Sequence, residues 1–440
     1  MSTSTFDEFK LKIESRASLV SIICPHMKFH RNEAETSSSL KELEELVRTL
    51  GLTQAGTYLQ KKSKIEAKAI LGTGRLMEIA EEAKANNSDL LVFDFELTGS
   101  QLRNIKKITG LDAIDRCSVI LEIFARHAHT KEAKMQIEIA RLQYLLPRLT
   151  SYWGHFSKQK GGIGLKGEGE QQLELDRRMI RTRIERYKKQ LGEMEISRKE
   201  RGKRRDKKAV TAALVGYTNA GKSSLMNKLC KVDILAEDKL FATLDSTYRM
   251  LNPDTKPSMI LIDTVGFLSN LPNTLIEGFK TTLESAIEAD LLLLVVDVSD
   301  PEYQKQIEVT ESVLSELGID NKEKIVIFNK KDLLESPFEA KIKMRNYKDT
   351  FLISSYEKED IDQLRSYIIN HFLDQQDHYD LFIPYGAGEI HSIIRSQTNI
   401  MTEENHEEGI FYRVKTPDFI FNRLNLSKFT MVKEPPENEN

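Results

Sequence analysis

Gly216-Tyr217-Thr218-Asn219-Ala220-Gly221-Lys222-Ser223 fits G-x-x-x-x-G-K-[ST], the pattern of a loop that cradles phosphates. The residue types explain why. Glycines let the backbone come close to an anion, and successive N–H groups at a helix N-terminus point at it. Lys222 is placed to reach the outer phosphates, and the Ser223 hydroxyl to sit on Mg²⁺. The flanks agree with this reading. Val210 to Val215 is apolar apart from Thr211, as in a buried parallel strand. Ser224 to Leu229 reads as the first turns of a helix.

Four further motifs follow at expected strand ends, where an open α/β sheet binds its ligand. Phe241-Ala242-Thr243-Leu244-Asp245 carries Thr243, which can close on Mg²⁺ when a γ-phosphate is present. Asp263-Thr264-Val265-Gly266 is a D-x-x-G. Asp263 would hold Mg²⁺ through water, and the Gly266 N–H would meet the γ-phosphate. Asn329-Lys330-Lys331-Asp332 is an N-K-x-D. The Asp332 carboxylate can accept from guanine N1–H and the 2-amino group, donors that adenine does not offer there. Ser354-Ser355-Tyr356 ends another short apolar run, where a backbone N–H can meet guanine O6. Together these point to a guanine-nucleotide site with Lys222, Thr243 and Gly266 as catalytic candidates and Ser223 and Thr243 as Mg²⁺ ligands. After Gly266, many GTPases carry a Gln that orients the attacking water. Here the residue is Phe267, so slow intrinsic hydrolysis is expected until a partner completes the geometry.

Around these motifs, 440 residues suggest about three domains. Hydrophobic content of 40 % and charged content of 30 % fit a globular chain with real cores. Net charge is only −3, but Gln171 to Lys208 holds fifteen Lys/Arg against seven Asp/Glu, a net of +8, leaving −11 for the rest. That asymmetry marks one local surface for a polyanion. Cys24, Cys117 and Cys230 are too few and too scattered for a disulfide framework, which suits a reducing, cytoplasmic setting. No leader pattern is seen, and the longest apolar run, Leu291 to Val296, is far short of a membrane span. Cys24, His26 and His30 lack a fourth ligand at useful spacing, so no metal site is expected there.

Four domains are expected. Residues 1–130 alternate strand and helix patterns, with Val119 to Phe124 as the closing strand, which predicts a small α/β domain. Residues 131–208 carry two helical patterns around Gly161 to Gly169, a stretch with five glycines in nine residues. Ala133, Ile137, Ala140 and Tyr144 form one seam, and Leu173, Ile180, Ile184, Tyr187, Leu191 and Met194 the other, predicting an antiparallel helical hairpin. The loop is either a flexible linker or a probe for a polyanionic site. Gly164, Lys166 and Gly167, with Arg201, Lys203, Arg204 and Arg205, are the RNA-binding candidates. Residues 209–374 read as a doubly wound P-loop domain, and 375–440 as a small strand–helix–strand piece with a polar tail.

The chain resembles the HflX family of ribosome-associated GTPases. Asp94-Phe95-Glu96-Leu97, Ile114-Asp115-Arg116, Ile123-Phe124-Ala125 and Pro147-Arg148-Leu149 are similar to that family's N-terminal domain. Gly162-Ile163-Gly164, Gly167 to Glu170 and Leu173 to Arg178 resemble its glycine-rich loop and following helix, with Glu168 where the family has Pro. The resemblance implies a Mg²⁺-dependent GTPase that binds the large (50S) ribosomal subunit and its rRNA and splits or recycles stalled or idle ribosomes. It is read as a monomer with GTP or GDP as ligand and no membrane span. A ribosome-assembly or RNA-modification GTPase is the alternative. Asn219 matches a position that ligates K⁺ in some related GTPases; a brace for the loop is the other reading.

Overall fold

In a computed structural model, the described residues are 15–27, 30–149, 168–205, 209–231, 241, 247–252, 256, 258–269, 283, 286–319, 322–374 and 376–430. The chain divides into two compact units. One comprises Met1–Glu193, Glu237–Asp245 and Leu268–Thr282; the other comprises Met194–Ala236, Ser246–Phe267 and Leu283–Asn440.

The first unit runs β1 (Arg16–Ile23), α1 (Glu33–Thr49), β2 (Thr53–Lys61), α2 (Thr73–Ala85), β3 (Leu90–Phe93), α3 (Gly99–Thr109), β4 (Asp112–Asp115), α4 (Arg116–His127) and α5 (Lys131–Leu145), then a 3₁₀ turn at Leu146–Arg148. Its strands pair in parallel in the order β2-β1-β3-β4. Local chemistry sets the helix starts. Asn32 accepts from Glu35 N–H, Thr98 and Gln101 form a capping box, and Thr130 accepts from Ala133 N–H. Gly110, at φ 71°, ends α3.

One expected strand is corrected. Val119 to Phe124 lies within α4, which Asp115 caps through Ser118 N–H. Cys117, Val119, Ile120, Leu121, Ile123 and Phe124 are all buried. A helix buried nearly all round loses its amphipathic period, and a short apolar run then looks like a strand. Strands β2 and β4 are additional to those the sequence pattern predicts.

The long helix α6 (Glu168–Arg205) packs on α5. Arg183 pairs with Glu138 at 3.0 Å, and Ile180 and Ile184 pack with Ile139 and Leu142. The α5 stripe facing α6 is therefore Ile139 and Leu142. Ala133, Ile137, Ala140 and Tyr144 are buried too, but Tyr144 turns to α4 and bonds Ser118 at 2.7 Å. Because α5 buries several faces, more than one stripe fits a seam.

The second unit holds β5 (Ala209–Gly216), α7 (Lys222–Leu229), β6 (Thr247–Asn252), β7 (Ser258–Asp263), β8 (Leu291–Asp297), α8 (Tyr303–Glu316), β9 (Lys324–Asn329), α9 (Pro337–Met344), β10 (Thr350–Leu352) and α10 (Lys358–Asp374). The sheet order is β10-β9-β8-β5-β7-β6, parallel except for β6 at the edge. Then come β11 (Gln376–Pro384), α11 (Gly388–Gln397), β12 (Asn399–Asn405), β13 (Gly409–Pro417) and α12 (Asp418–Arg423), with a β11-β13-β12 antiparallel sheet. One core joins the two sheets, from Leu214, Leu293 and Ile327 through Phe372 to Leu381, Tyr412 and Phe421. Arg423 fastens the join, donating to Ala209 O at 3.1 Å and pairing with Asp290. Residues 434–440 lie outside the described residues. Among the described residues, no helix is long and apolar enough to cross a membrane.

Burial of polar groups in the first unit yields a stability test. Asp115 is fully buried; it accepts from Leu97 N–H at 3.0 Å, Ser118 N–H at 2.9 Å and Tyr144 Oη at 2.8 Å. Burial raises its carboxyl above the usual range. Tyr144→Phe keeps the ring under Arg148 (3.6 Å) and removes one donor to this carboxylate. The expected cost is about 1.5–3 kcal/mol, seen as a lowered midpoint of the denaturation transition of the full chain.

Candidate nucleotide-binding site

The phosphate loop leaves β5 and enters α7, as the flanking patterns predicted. Gly216 has φ 147°, and a Cβ there would strike Val295 O; Gly221, at φ 91°, would strike Asn329 Nδ2. Only glycine suits these two positions. Asn219 is also left-handed, at φ 59°. Lys222 is buried, and its Nζ donates to Gly216 O at 3.1 Å and Tyr217 O at 2.7 Å. Burial lowers its pKa to about 8 against the opposing attraction of Asp263. The Ser223 hydroxyl donates to Asp263 Oδ2 at 2.7 Å. These two hard oxygens, side by side at the phosphate end, are a donor set that suits Mg²⁺.

Asp263 ends β7, and the Thr264 hydroxyl donates to Leu214 O at 2.6 Å. The D-x-x-G turn is then stitched to the phosphate loop by main chain. Phe267 N–H donates to Gly216 O at 3.0 Å, and Thr218 N–H donates to Phe267 O at 2.7 Å. Val265 and Phe267 are buried. A Cβ on Gly266 would lie 2.8 Å from both Lys222 Nζ and Thr218 Cα. Ala242, Thr243, Leu244 and Asp245 lie outside the described residues, while Phe241 is buried with its ring 4.4 Å from that of Phe124.

At the base end, Asn329 acts as a staple. Its Nδ2 donates to Ala220 O at 2.9 Å, and its Oδ1 accepts from Ser355 N at 3.2 Å and Ser355 Oγ at 2.9 Å. Ser354 Oγ donates to Asp332 Oδ1 at 2.5 Å. Asp332 is exposed, so its carboxylate can meet a base. Lys330, at φ 65°, pairs through Nζ with Asp297 at 2.7 Å. Lys331 instead turns to Asp360 at 2.7 Å and Glu357 at 2.8 Å. Tyr356 is 82 % exposed. The structure thus brings together Gly216 to Ser224, Asp263 to Gly266, Asn329 to Asp332 and Ser354 to Ser355. Sequence reasoning missed Asp360, which also accepts from Ser354 N–H at 2.7 Å, because a lone acidic residue in a helix's first turn carries no signal of a second role.

Of the RNA-binding candidates, Gly164, Lys166 and Gly167 lie outside the described residues, and Arg201, Lys203, Arg204 and Arg205 fall in the last turns of α6. His30, considered for a metal, is buried and bonds Asp94 O at 3.1 Å through Nε2.

The Lys222 ammonium gives a pH dependence. A depressed lysine pKa means the charged form is disfavoured here, whereas a bound phosphate requires it. Affinity for GDP is therefore expected to be flat below pH 8 and to fall by about tenfold per unit above it, with proton uptake on binding. Calorimetry in buffers of different ionisation enthalpy checks this; a flat affinity from pH 7 to 9 contradicts it.

Known proteins resemble this chain along most of its length. Family profiles described as "GTP-binding GTPase N-terminal", "GTP-binding GTPase Middle Region" and "50S ribosome-binding GTPase" match residues 37–125, 127–205 and 211–330. The GTPase HflX of Caldanaerobacter subterraneus subsp. tengcongensis is 39% identical over 412 residues, covering 93% of each chain. That of Escherichia coli is 36% identical over 389 residues, 88% of this chain and 91% of that one. A crystal structure of SsGBP with GDP is 24% identical, covers 81% of this chain and 98% of that one, and has a TM-score of 0.48. With the phosphate loop, the D-x-x-G and the N-K-x-D assembled on one sheet, and relatives matched along nearly their whole length, the chain belongs to the HflX family of GTPases.

Proposed function

We propose that this GTPase uses Mg²⁺, acts on the large ribosomal subunit and there splits or recycles stalled or idle ribosomes. Gly216 to Ser224 would wrap the phosphates with main-chain N–H groups. Lys222 would exchange its two loop carbonyls, Gly216 O and Tyr217 O, for phosphate oxygens. Ser223, Asp263 (through water) and Thr243 would hold Mg²⁺, which supplies charge neutralisation between the outer phosphates. Asn329 would keep the base loop and the phosphate loop in register, Asp332 would read guanine, and Lys330 would lie along the base. Asn219 is available as a K⁺ ligand or as a loop brace.

The observation that carries the partner reading is Phe267. It is buried, tied by main chain to Gly216 and Thr218, and has no group to orient water where other GTPases place a Gln. Such a site needs a second surface for efficient turnover. Two findings favour the large subunit as that surface: the profile description that matches residues 211–330, and the eight cations from Arg198 to Lys208, which suit a phosphate backbone.

The test is GTP hydrolysis by the purified chain, with and without large ribosomal subunits, in Mg²⁺ and with ATP as control. Expected are a slow basal rate, strong stimulation by the subunit and no ATP turnover. Fast turnover by the chain alone, or clear GTP binding without stimulation, overturns the partner reading.

A further inference from the structure

The base end of the site is held by a residue that lies behind it. Asp332, the acceptor expected to read guanine, is exposed, and an exposed carboxylate turns about its side-chain bonds unless something holds it. Ser354 holds it here. Its hydroxyl donates to Asp332 Oδ1 at 2.5 Å and accepts from Tyr356 N–H at 3.3 Å. With a donor and an acceptor both engaged, that hydroxyl has one direction. Ser354 is itself fully buried, and its main-chain N–H donates to Asp360 Oδ2 at 2.7 Å.

Asp360 lies in the first turn of α10 and is fixed in turn. Lys331 Nζ donates to its Oδ1 at 2.7 Å and also pairs with Glu357 at 2.8 Å. Lys331 immediately precedes Asp332, and its N–H donates to Ile353 O at 3.1 Å. Asp332, Ser354, Asp360 and Lys331 therefore form a closed ring within the second compact unit. Ser355 is held separately, by Asn329. Asn329 thus ties the loop to the phosphate end, while Asp360 places the Ser354 hydroxyl against Asp332.

The base makes alignment matter. Guanine offers N1–H and the 2-amino group as two donors in one plane, and a carboxylate meets both only when its two oxygens lie in that plane. Hypoxanthine, the base of inosine diphosphate (IDP), has N1–H and lacks the 2-amino group, so one oxygen suffices. The margin by which the site prefers GDP over IDP therefore measures how well the carboxylate is held.

We propose that Asp360 is a positioning residue for base recognition. It holds Ser354 so that the Ser354 hydroxyl sets the Asp332 carboxylate for two-point binding of guanine, and Lys331 completes the ring. An acid in a helix's first turn also complements the helix dipole, but that role alone would change stability and leave the GDP-over-IDP margin where it was. The proposal rests on reading Asp332 as the guanine acceptor.

The test compares the dissociation constants of GDP and IDP for the full chain and its variants. Asp360→Ala is expected to cut the preference for GDP over IDP by about tenfold, the worth of one hydrogen bond to a charged group, with IDP affinity nearly unchanged. Asp360→Leu keeps the side-chain bulk without an acceptor and serves if Asp360→Ala does not fold. In a Ser354→Ala background, Asp360→Ala is expected to lower the preference no further, because both residues act on the same carboxylate. An unchanged preference in the Asp360 variants, or equal losses for both nucleotides, overturns the proposal. So does a full Asp360→Ala effect in the Ser354→Ala background. Asp332→Asn separates the two failures. If it abolishes the preference while the Asp360 variants keep it, only the positioning role falls. If it leaves the preference unchanged, the reading of Asp332 falls and the positioning role with it.

Discussion

Two main-chain hydrogen bonds, Phe267 N–H to Gly216 O and Thr218 N–H to Phe267 O, govern the nucleotide site. They join the D-x-x-G turn to the phosphate loop. Because they are main-chain bonds they fix the backbone spacing, and that spacing explains the residues around it. Gly266 has no room for a Cβ. Lys222 is confined against its own loop and satisfied by its carbonyls. A γ-phosphate taken by the Gly266 N–H, as expected above from the D-x-x-G pattern, would act on these two bonds, whereas GDP would not.

The fold makes such a joint possible by being rigid elsewhere. β5, β7, β8 and β9 are central, nearly water-free strands, and the nucleotide motifs lie at their C-terminal ends, where loops are free to carry chemistry. Asn329 connects the phosphate loop to the base loop with one side chain, so the two ends of the site cannot drift apart independently. The shared core with the C-terminal sheet and the Arg423–Asp290 tie stiffen the opposite end of the same strands.

The nucleotide site was legible because its information is local. Each motif is a short run at a strand end, and its residue types follow from what phosphate, Mg²⁺ and guanine require. What the sequence hid has one physical cause: contacts between residues far apart in the chain. Arg116 meets Ser269 across 153 positions, and no spacing rule connects them. The run in α4 has the pattern of a strand because burial erases the periodicity that distinguishes helix from strand. The same over-burial in α5 lets Ala133, Ile137, Ala140 and Tyr144 fit a seam pattern, although Ile139 and Leu142 supply the seam. Asp360 was missed because an acidic residue at a helix start is ordinary, and only the fold brings it to Ser354 and Lys331.

Amide hydrogen exchange at Phe267 and Thr218 tests most directly whether the turn must open for GTP. The two amides are main-chain donors within the joint, so their protection reports the joint itself. With GDP bound, both are expected to remain protected. With a non-hydrolysable GTP analogue bound, the Phe267 amide is expected to lose protection while the neighbouring strands β5 and β7 keep theirs. Equal protection of the Phe267 amide with either nucleotide would contradict the account, because the γ-phosphate would then be accommodated without separating the turn from the loop.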